Sequence, residues 1–207
     1  DGHPSRQIDF QSSRRLGAEL APAIQRLLKE SGLGANTPPD LITVDTGPGS
    51  YTGLRIGLAA AKGLAFAWSR PLIGVPSTHA LVFQVPSQTR RVLCALDASR
   101  GQIYAALFTR DDPVADFRAT LAASLSSVDA LSAELEEETY VIGDAAEQLS
   151  GVSAATVAPA ELAWPSATRI AEAGLRAHLD GDRHDALRLS PIYYRPSEAD
   201  EQRRKRA

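Results

Sequence analysis

The sequence contains one cysteine, and this scarcity indicates which cellular compartment the protein fits. Cys94 is the only cysteine among 207 residues, so no disulfide can form within the chain. A chain without disulfides fits a reducing environment, and we expect it in the cytoplasm. Cys94 lies in the apolar run at residues 91–96, which predicts a buried strand. No histidine or cationic neighbour in the sequence shares its face, so a reactive thiol is not predicted.

Long apolar runs and a strong charge of one sign are also missing. No apolar segment approaches the roughly 20 residues that a transmembrane helix needs, and no signal peptide is visible, so no membrane partner is predicted. The formal net charge of −3 provides no general attraction to nucleic acid. With 43% hydrophobic residues, the chain is long enough for one large domain or two small ones.

The residue patterns of independent chemistry are absent as well. The four histidines lie in separate regions, and no pair of potential ligands has metal-binding spacing. Gly49-Ser50 precedes a predicted helix, but no glycine follows two residues later, which excludes a nucleophile elbow. His79 is the most suggestive acid–base candidate, yet capping or packing explains it better because nothing nearby in the sequence pairs with it. We therefore predict no catalytic and no metal-binding residues.

The most informative stretch of the sequence runs from residue 41 to residue 68. Residues 41–44 are a short β-branched run typical of a buried strand, and residues 54–68 are rich in alanine and leucine, as a helix is. The loop between them contains Gly47, Pro48 and Gly49, and Ser50 is placed to cap the helix. The stretch therefore predicts a strand, a glycine turn and a helix N-terminus.

A unit of this kind can bind an anion, because free N–H groups and the helix dipole point at the turn. The glycine spacing GxGxxxG is one residue longer than the dinucleotide fingerprint, and no Gly-Lys-Ser/Thr follows as in a P-loop. Two interpretations stay open, a phosphate-binding or nucleotide-binding loop and a tight strand-to-helix connection. The candidate phosphate contacts are Gly47, Gly49, Ser50, Thr52 and Arg55.

Small residues recur at every fourth position of the predicted helix, at Gly53, Gly57, Ala61 and Ala65. This spacing stacks them on one helix face. Each glycine costs the helix about 1 kcal/mol relative to alanine, so the row indicates that another helix must approach closely. That helix belongs either to a partner or to the same chain, and the row itself favours neither.

The run GPGSYTGLRIG at residues 47–57, followed by KGLA at 62–65 and IGVPS at 73–77, resembles the TsaB family of tRNA threonylcarbamoyladenosine biosynthesis proteins. This family, also called YeaZ-type or glycoprotease-like, is part of the actin, sugar kinase and Hsp70 superfamily. The resemblance implies an α/β fold of the actin-like ATPase (ribonuclease H-like) type, with two subdomains whose mixed sheets are flanked by helices. We place the first subdomain at residues 1–86 and the second at residues 87–207.

The resemblance sets further expectations for parts of the chain. Family members carry an earlier strand pair with the first phosphate-binding hairpin of the superfamily, and we expect this chain to lack it. A remnant of the second phosphate hairpin is expected at residues 97–101, where Asp97 is either a turn residue or a phosphate-site or metal carboxylate, with the turn favoured. The basic tail at residues 203–206 is either a contact for RNA phosphates or, as the simpler interpretation, a solvated end.

The function implied by the resemblance is that of a non-catalytic scaffold subunit. Such a subunit supports the transfer of threonylcarbamoyl to N6 of adenosine 37 in tRNA. Its implied partners are a catalytic TsaD-type paralogue and a TsaE-type ATPase, with tRNA contacted through the complex, and the chain alone could be a homodimer. No cofactor is expected to be tightly bound, although the resemblance allows ATP or ADP at the partner interface. The alternative is a stand-alone ATPase, kinase or transferase of the same superfamily.

The resemblance also implies that two paralogues pack helices of their first subdomains together. On this chain, the first predicted helix and the small-residue face of the second are the natural places for that contact. The predicted partner-interface residues are Leu16, Leu20, Ile24, Gly53, Gly57 and Ala61.

Overall fold

The structure is a computed structural model, and it describes residues 6–9 and 16–193. The helices are α1 (Leu16–Glu30), α2 (Tyr51–Trp68), α3 (Ser77–Val82), α4 (Val128–Glu134) and α5 (Ala167–Leu179). The strands are β1 (Ile42–Gly47), β2 (Leu72–Pro76), β3 (Arg91–Asp97), β4 (Ile103–Thr109), β5 (Arg118–Ser126), β6 (Thr139–Ile142) and β7 (Ala155–Val157). None of the helices in this part of the chain is both long and apolar enough to cross a bilayer.

The chain divides into two compact units. The first contains Asp1–Ser77 and Ser166–Pro191, and the second contains Thr78–Pro165 and Ile192–Ala207. This division differs from a single boundary after residue 86. The segment after β2 already belongs to the second unit, and α5 returns to the first unit because it packs on β1 and β2.

A two-stranded parallel sheet, β1 beside β2, forms the centre of the first unit. Alternate residues of β1 face opposite sides of this sheet. Val44 is buried on the α2 side, in a core shared with Leu58, Ala61, Ala65 and Leu72. Thr43 lies on the α5 side, where a Cβ at Gly174 would be 2.3 Å from its Cγ2 atom. A helix therefore covers each face of the sheet.

Local signals in the sequence define both ends of α2. Ser50 Oγ accepts a hydrogen bond from Gly53 N–H at 3.3 Å, so the predicted cap is formed. At the other end Ser69 adopts a left-handed conformation with φ of 52°, and Arg70 N–H donates to Ala65 O at 3.0 Å. The helix ends at Trp68, where the sequence predicted its end.

Residues 6–10 alternate between polar and apolar side chains as a strand does, but the described part of this segment forms no strand. Residues 6–9 have neither helical nor strand structure. Gln7 Oε1 accepts hydrogen bonds from Thr168 N–H at 3.2 Å and Thr168 Oγ1 at 2.6 Å, at the start of α5. The alternation of polar and apolar residues was therefore a poor guide here, because a side-chain contact with α5 replaces strand pairing.

The second unit contains a five-stranded mixed sheet in the order β5-β4-β3-β6-β7. β3, β4 and β5 are antiparallel neighbours, and β6 and β7 run parallel to β3. Alternation along β3 buries Leu93 and Ala95 in one core and Val92 and Cys94 in another. The sheet is therefore buried on both faces, as the apolar run at residues 91–96 predicts.

Gly143 lies directly after β6 and passes very close to β3. Its φ is +126°, and a Cβ atom built on it would lie 2.0 Å from the carbonyl oxygen of Ala95. The N–H of Ala145 donates a hydrogen bond to the same oxygen at 3.1 Å. Only glycine fits this position without a local rearrangement.

Candidate functional site

Asp45 organises the loop between β1 and α2. Its Oδ1 atom accepts hydrogen bonds from Gly47 N–H at 2.8 Å and from the Ser77 hydroxyl at 2.7 Å. Ser77 follows β2 directly, so this carboxylate joins the C-terminal ends of the two parallel strands. Burial raises the pKa of the Asp45 carboxyl, although both hydrogen bonds act in the opposite direction. Asp45 is therefore a positioning residue for the loop.

The contact between Asp45 and Ser77 was not predicted. A signal for it was present in the sequence, because Asp45 follows the β-branched run at residues 41–44 and Ser77 follows the run IGVP at residues 73–76. The C-terminal ends of neighbouring parallel strands lie at the same edge of a sheet, where polar side chains can meet.

Substitution of Asp45 by asparagine tests how much the ionised carboxylate lowers the free energy of unfolding. Asparagine keeps an oxygen acceptor for Gly47 and Ser77 but carries no charge. Because folding raises the pKa of Asp45, the ionised group lowers stability at neutral pH, and this loss disappears where the group is protonated in both folded and unfolded chains. We expect Asp45→Asn to be more stable than the unsubstituted chain at pH 7.

Urea unfolding at several pH values would measure this effect. The difference in free energy of unfolding should narrow as the pH falls from the raised pKa of Asp45 in the folded chain to about 4, the ordinary value of an aspartate, and it should vanish below that pH. An advantage that is independent of pH, or a loss of stability at pH 7, would contradict the prediction.

The predicted phosphate-contact residues all lie at the N-terminus of α2. Gly47 N–H is already bonded to Asp45, and Ser50 Oγ caps the helix. The guanidinium carbon of Arg55 lies 4.0 Å from the centre of the Tyr51 ring, in a cation–π contact. These internal contacts favour the interpretation as a strand-to-helix connection.

The remaining two residues of this set, Gly49 and Thr52, are exposed. An ionised Asp45 carboxylate, which contacts the loop at Gly47, would repel a bound anion. Phosphate binding by this loop stays a prediction.

The small residues of α2 do not all point in the same direction. A Cβ atom on Gly53 would lie 3.9 Å from Leu16 Cδ2, so α1 of the same chain approaches this position. A Cβ atom on Gly57 would meet no atom of the described residues within 4 Å. Ala61 is only 7% exposed and packs with Leu58 in the core of the first unit.

Helix geometry explains why Ala61 must be removed from the predicted interface. Four residues of an α-helix turn by about 400°, so each successive member of the row is displaced by about 40° around the axis. The row therefore winds from the face near α1, through the open position at Gly57, to the buried side at Ala61 and Ala65. The same chain covers Gly53, as one interpretation of the row requires, and a partner helix at Gly57 stays a prediction.

The three predicted interface residues of α1 are half-buried. Leu16, Leu20 and Ile24 lie on one stripe of the helix, which runs through Pro22 without interruption. α1 packs against the first turns of α2, where a Cβ atom on Gly17 would lie 3.8 Å from Ile56 Cδ1. The stripe therefore has one side against α2 and one side available to solvent.

Large apolar side chains are exposed near the end of α2. Phe66 is 84% exposed and lies one helical turn after Lys62. The ammonium group of Lys62 donates a hydrogen bond to the carbonyl oxygen of Leu187 at 3.1 Å, and the Leu187 side chain is 85% exposed. Leu187 was missed by the sequence analysis, because its proximity to α2 depends on the path of the chain after α5.

Asp97 serves as a turn residue in the β3–β4 hairpin. Its Oδ1 atom accepts a hydrogen bond from Ser99 N–H at 2.9 Å, and its own N–H donates to Asp144 Oδ1 at 2.8 Å. Burial raises the pKa of Asp144, and the nearby charge of Asp97 acts in the same direction. Across residues 6–9 and 16–193, no group of three or more His, Cys, Asp or Glu side chains is arranged to hold a metal ion.

The other two candidate reactive groups have packing roles. Cys94 is fully buried, its Sγ donates to the carbonyl oxygen of Thr78 at 3.3 Å, and burial raises the pKa of its thiol. The ring of His79 meets the ring of Phe108 edge-on, with their centres 5.1 Å apart. The basic tail at residues 203–206 lies outside the described residues.

Comparisons with known proteins cover most of the chain. The family model described as TsaD, tRNA N6-adenosine threonylcarbamoyltransferase, matches residues 10–166. The tRNA threonylcarbamoyladenosine biosynthesis protein TsaB of Haemophilus influenzae is 27% identical over 186 residues, which are 85% of this chain and 78% of that protein. The TsaB protein of Escherichia coli K12 is 38% identical over 95 residues, which are 45% of this chain and 41% of that protein.

A solved structure supports the fold. YeaZ from Pseudomonas aeruginosa matches with a TM-score of 0.72 at 22% identity, over 86% of this chain and 84% of that chain. The predicted resemblance to TsaB proteins and the predicted α/β fold class are both confirmed.

Proposed function

Since the chain belongs to the TsaD family, tRNA N6-adenosine threonylcarbamoyltransferase, we propose that it takes part in the synthesis of threonylcarbamoyladenosine in tRNA. Its role in this proposal is that of a TsaB-type scaffold subunit, which binds a catalytic TsaD-type paralogue and performs no chemistry of its own. The similarity to the Haemophilus influenzae TsaB protein supports this role, because it extends over 85% of the chain.

The observation that carries the scaffold role is the open space that a Cβ atom at Gly57 would have, one turn of α2 after Gly53, against which α1 packs. α1 already covers Gly53, whereas Gly57 is half-buried and a Cβ atom built on it would meet no described atom within 4 Å. A glycine in the middle of a helix costs about 1 kcal/mol relative to alanine, so a requirement for close approach accounts for its presence. The open backbone suits a helix from another molecule.

Apolar side chains around this position fit the same proposal. Leu20 and Ile24 are half-buried on α1, the helix that packs against Gly53. Interfaces between proteins are enriched in large apolar side chains, and these two residues offer such contacts on the helix adjacent to α2.

The polar groups of the chain support binding rather than catalysis. Asp45 holds the loop before α2, Asp97 holds a hairpin turn, and Cys94 is buried. Each of these groups has a structural role that accounts for its position.

Light scattering on a sizing column would test the proposal. The chain would be run alone, the TsaD-type paralogue of the same organism alone, and the two together. We expect a stable one-to-one complex, and we expect the mixture to form threonylcarbamoyladenosine in a tRNA assay that also contains the other components. Absence of a complex together with no stimulation by the chain would contradict the proposal.

Further parts of the proposal concern the assembly. A TsaE-type ATPase is proposed as a third component, and tRNA is contacted through the complex in the cytoplasm. The isolated chain forms a homodimer through the same helices, and ATP or ADP binds at most at the partner interface. Light scattering of the isolated chain, with and without ATP, tests the last two statements.

The alternative function as a stand-alone ATPase, kinase or transferase is not favoured. The Haemophilus influenzae relative, which matches over 85% of this chain, is a TsaB protein. The hairpin at Asp97 has the contacts of a turn. Nucleotide turnover by the isolated chain that disappears in Asp97→Ala would reverse this conclusion.

A further inference from the structure

The segment at residues 183–189 follows α5 in the first unit and forms neither helix nor strand, and we call it the strap. Asp185 holds its turn. The Asp185 carbonyl oxygen accepts hydrogen bonds from Arg188 N–H at 3.0 Å and Leu189 N–H at 2.9 Å, and Oδ1 accepts from Leu187 N–H at 2.9 Å. The strap is therefore a shaped element that can be held or released as a unit.

The first attachment of the strap is a hydrogen bond to the edge of the sheet. Within the described residues, β2 pairs only with β1, so its other edge has no strand beside it. On that edge, Gly74 N–H donates to His184 Nδ1 at 2.9 Å. An open strand edge is a template for pairing with other chains, and the imidazole occupies one of its donors.

The second attachment is a close apolar contact at the same glycine. A Cβ atom on Gly74 would lie 2.7 Å from Leu189 Cδ1 and 2.6 Å from Thr46 Cγ2, so the absence of a side chain makes the space that Leu189 fills. Leu189 and Ala186 pack against the core formed by α2 and the sheet. The third attachment is the hydrogen bond from Lys62 to the Leu187 carbonyl oxygen.

We propose that the strap is a pH-dependent latch over the outer edge of β2, with His184 as its sensor. Nδ1 of histidine accepts a hydrogen bond only while that nitrogen carries no proton. Histidine is also the side chain that ordinarily changes charge between pH 5 and 8. Protonation therefore turns the acceptor into a donor that faces the N–H of Gly74, and the strap loses its hydrogen bond to the strand.

The elements packed around His184 carry few charged groups. β2 has no ionisable side chain, and Thr46 of β1 is neutral. The cations of this region are Lys62 of α2 and Arg183 of the strap. Arg183 is itself bound to the carbonyl oxygens of His178 and Asp182. The remaining charged or titratable groups lie in the strap and the preceding end of α5: Arg176, His178, Asp180, Asp182, Asp185 and Arg188.

Four of these groups form two ion pairs. Arg188 Nε lies 3.4 Å from Asp185 Oδ2, and Arg176 Nε lies 3.9 Å from Asp180 Oδ2, so each pair contributes little net charge. The second histidine of the group, His178, contacts Arg183 Nη1 through Nδ1 at 3.4 Å, and the His184 variants described below leave it unchanged.

Hydrogen–deuterium exchange of the Gly74 amide, followed by NMR, tests the proposal. Protection factors corrected for the intrinsic rates would be compared at about pH 8 and about pH 5, with the amide of Leu93 in β3 as an internal reference. Protection of Gly74 should fall by about fivefold at the lower pH, which corresponds to the loss of one hydrogen bond, while protection of Leu93 stays constant.

Two variants distinguish the effect of protonating His184 from the effect of removing its side chain. His184→Asn places an oxygen acceptor that does not titrate near the position of Nδ1, so protection of Gly74 should be the same at both pH values. His184→Ala should show the low protection at both pH values. At the higher pH it should also be cleaved faster by trypsin after Arg188, whose side chain is 90% exposed.

The proposal is overturned if Gly74 protection in the unsubstituted chain does not change with pH. It is also overturned if His184→Asn loses protection at low pH as the unsubstituted chain does, or if His184→Ala keeps full protection and resists trypsin equally. Because the readout is a single amide of the isolated chain, the result does not depend on whether the chain binds a TsaD-type paralogue.

Discussion

Replacement of Gly57 by leucine is expected to abolish binding to the TsaD-type paralogue while the chain stays folded. A Cβ atom at this position would meet no described atom within 4 Å, so the first carbon of the new side chain causes no clash within the chain. Leucine also favours the helical conformation over glycine by somewhat less than 1 kcal/mol. For a partner helix, however, the leucine fills the space above the bare backbone and forces the axes apart toward the usual ~8–10 Å.

The matched control is Gly63→Leu. Gly63 lies in the same helix, and a Cβ atom built on it would also meet nothing within 4 Å. Because Gly63 comes six residues after Gly57, it points about 120° away from Gly57 around the helix axis. Calorimetric titration with the paralogue should show a loss of affinity of at least about thirtyfold for Gly57→Leu, the effect of a central interface residue. Gly63→Leu should bind as the unsubstituted chain does.

Two outcomes would remove Gly57 from the interface. The first is a folded Gly57→Leu chain with unchanged affinity. The second is an equal loss of affinity in both variants, which would place the contact on a different side of α2. Circular dichroism of both variants shows that binding, and not folding, is compared.

Replacement of Gly143 by alanine is expected to destabilise the chain severely. The new Cβ atom would lie 2.0 Å from the carbonyl oxygen of Ala95, in the centre of the five-stranded sheet, and the backbone has a φ of +126° that alanine rarely adopts. The clash involves backbone, so no side-chain rotation relieves it. We expect a loss of at least about 3 kcal/mol in the free energy of unfolding.

Differential scanning calorimetry would measure this effect as a fall of at least about 6 °C in the thermal midpoint. Two controls separate its causes. Gly181 has a φ of +101° but open space around it, so Gly181→Ala measures the backbone conformation alone, at about 1 kcal/mol. Gly151 has open space without a positive φ, and Gly151→Ala should have little effect. If Gly143→Ala costs no more than Gly181→Ala, close packing against Ala95 is not the reason for the glycine.

The features that the sequence predicted well depend on neighbouring residues. The cap at Ser50, the end of α2 at Trp68 and the hairpin turn near Asp97 are each specified by a few adjacent side chains. The buried character of β3 was also predictable, since an uninterrupted apolar run has few other uses.

The features that it missed depend on distant parts of the chain. Asp45 and Ser77 are 32 positions apart, and Gly74 and His184 are 110 positions apart. The first pair had a signal, because each of its residues follows a run with strand character. The second pair forms only when the strap has packed against β2, and no local pattern predicts it. The burial of Ala61 was missed for a different reason, since the four-residue spacing was taken as a straight row although it winds around the helix.

The first unit is interrupted by the second, and this order affects how the chain folds as it leaves the ribosome. Residues up to Ser77 are synthesised first, but the helix that covers the other side of their sheet begins only at Ala167. Until Gly174 has been made, Thr43 and Val75 lack the packing surface that it provides. The five-stranded sheet, in contrast, comes from one continuous stretch and can form earlier. β1 and β2 are therefore synthesised before the five-stranded sheet but are fully enclosed only after it.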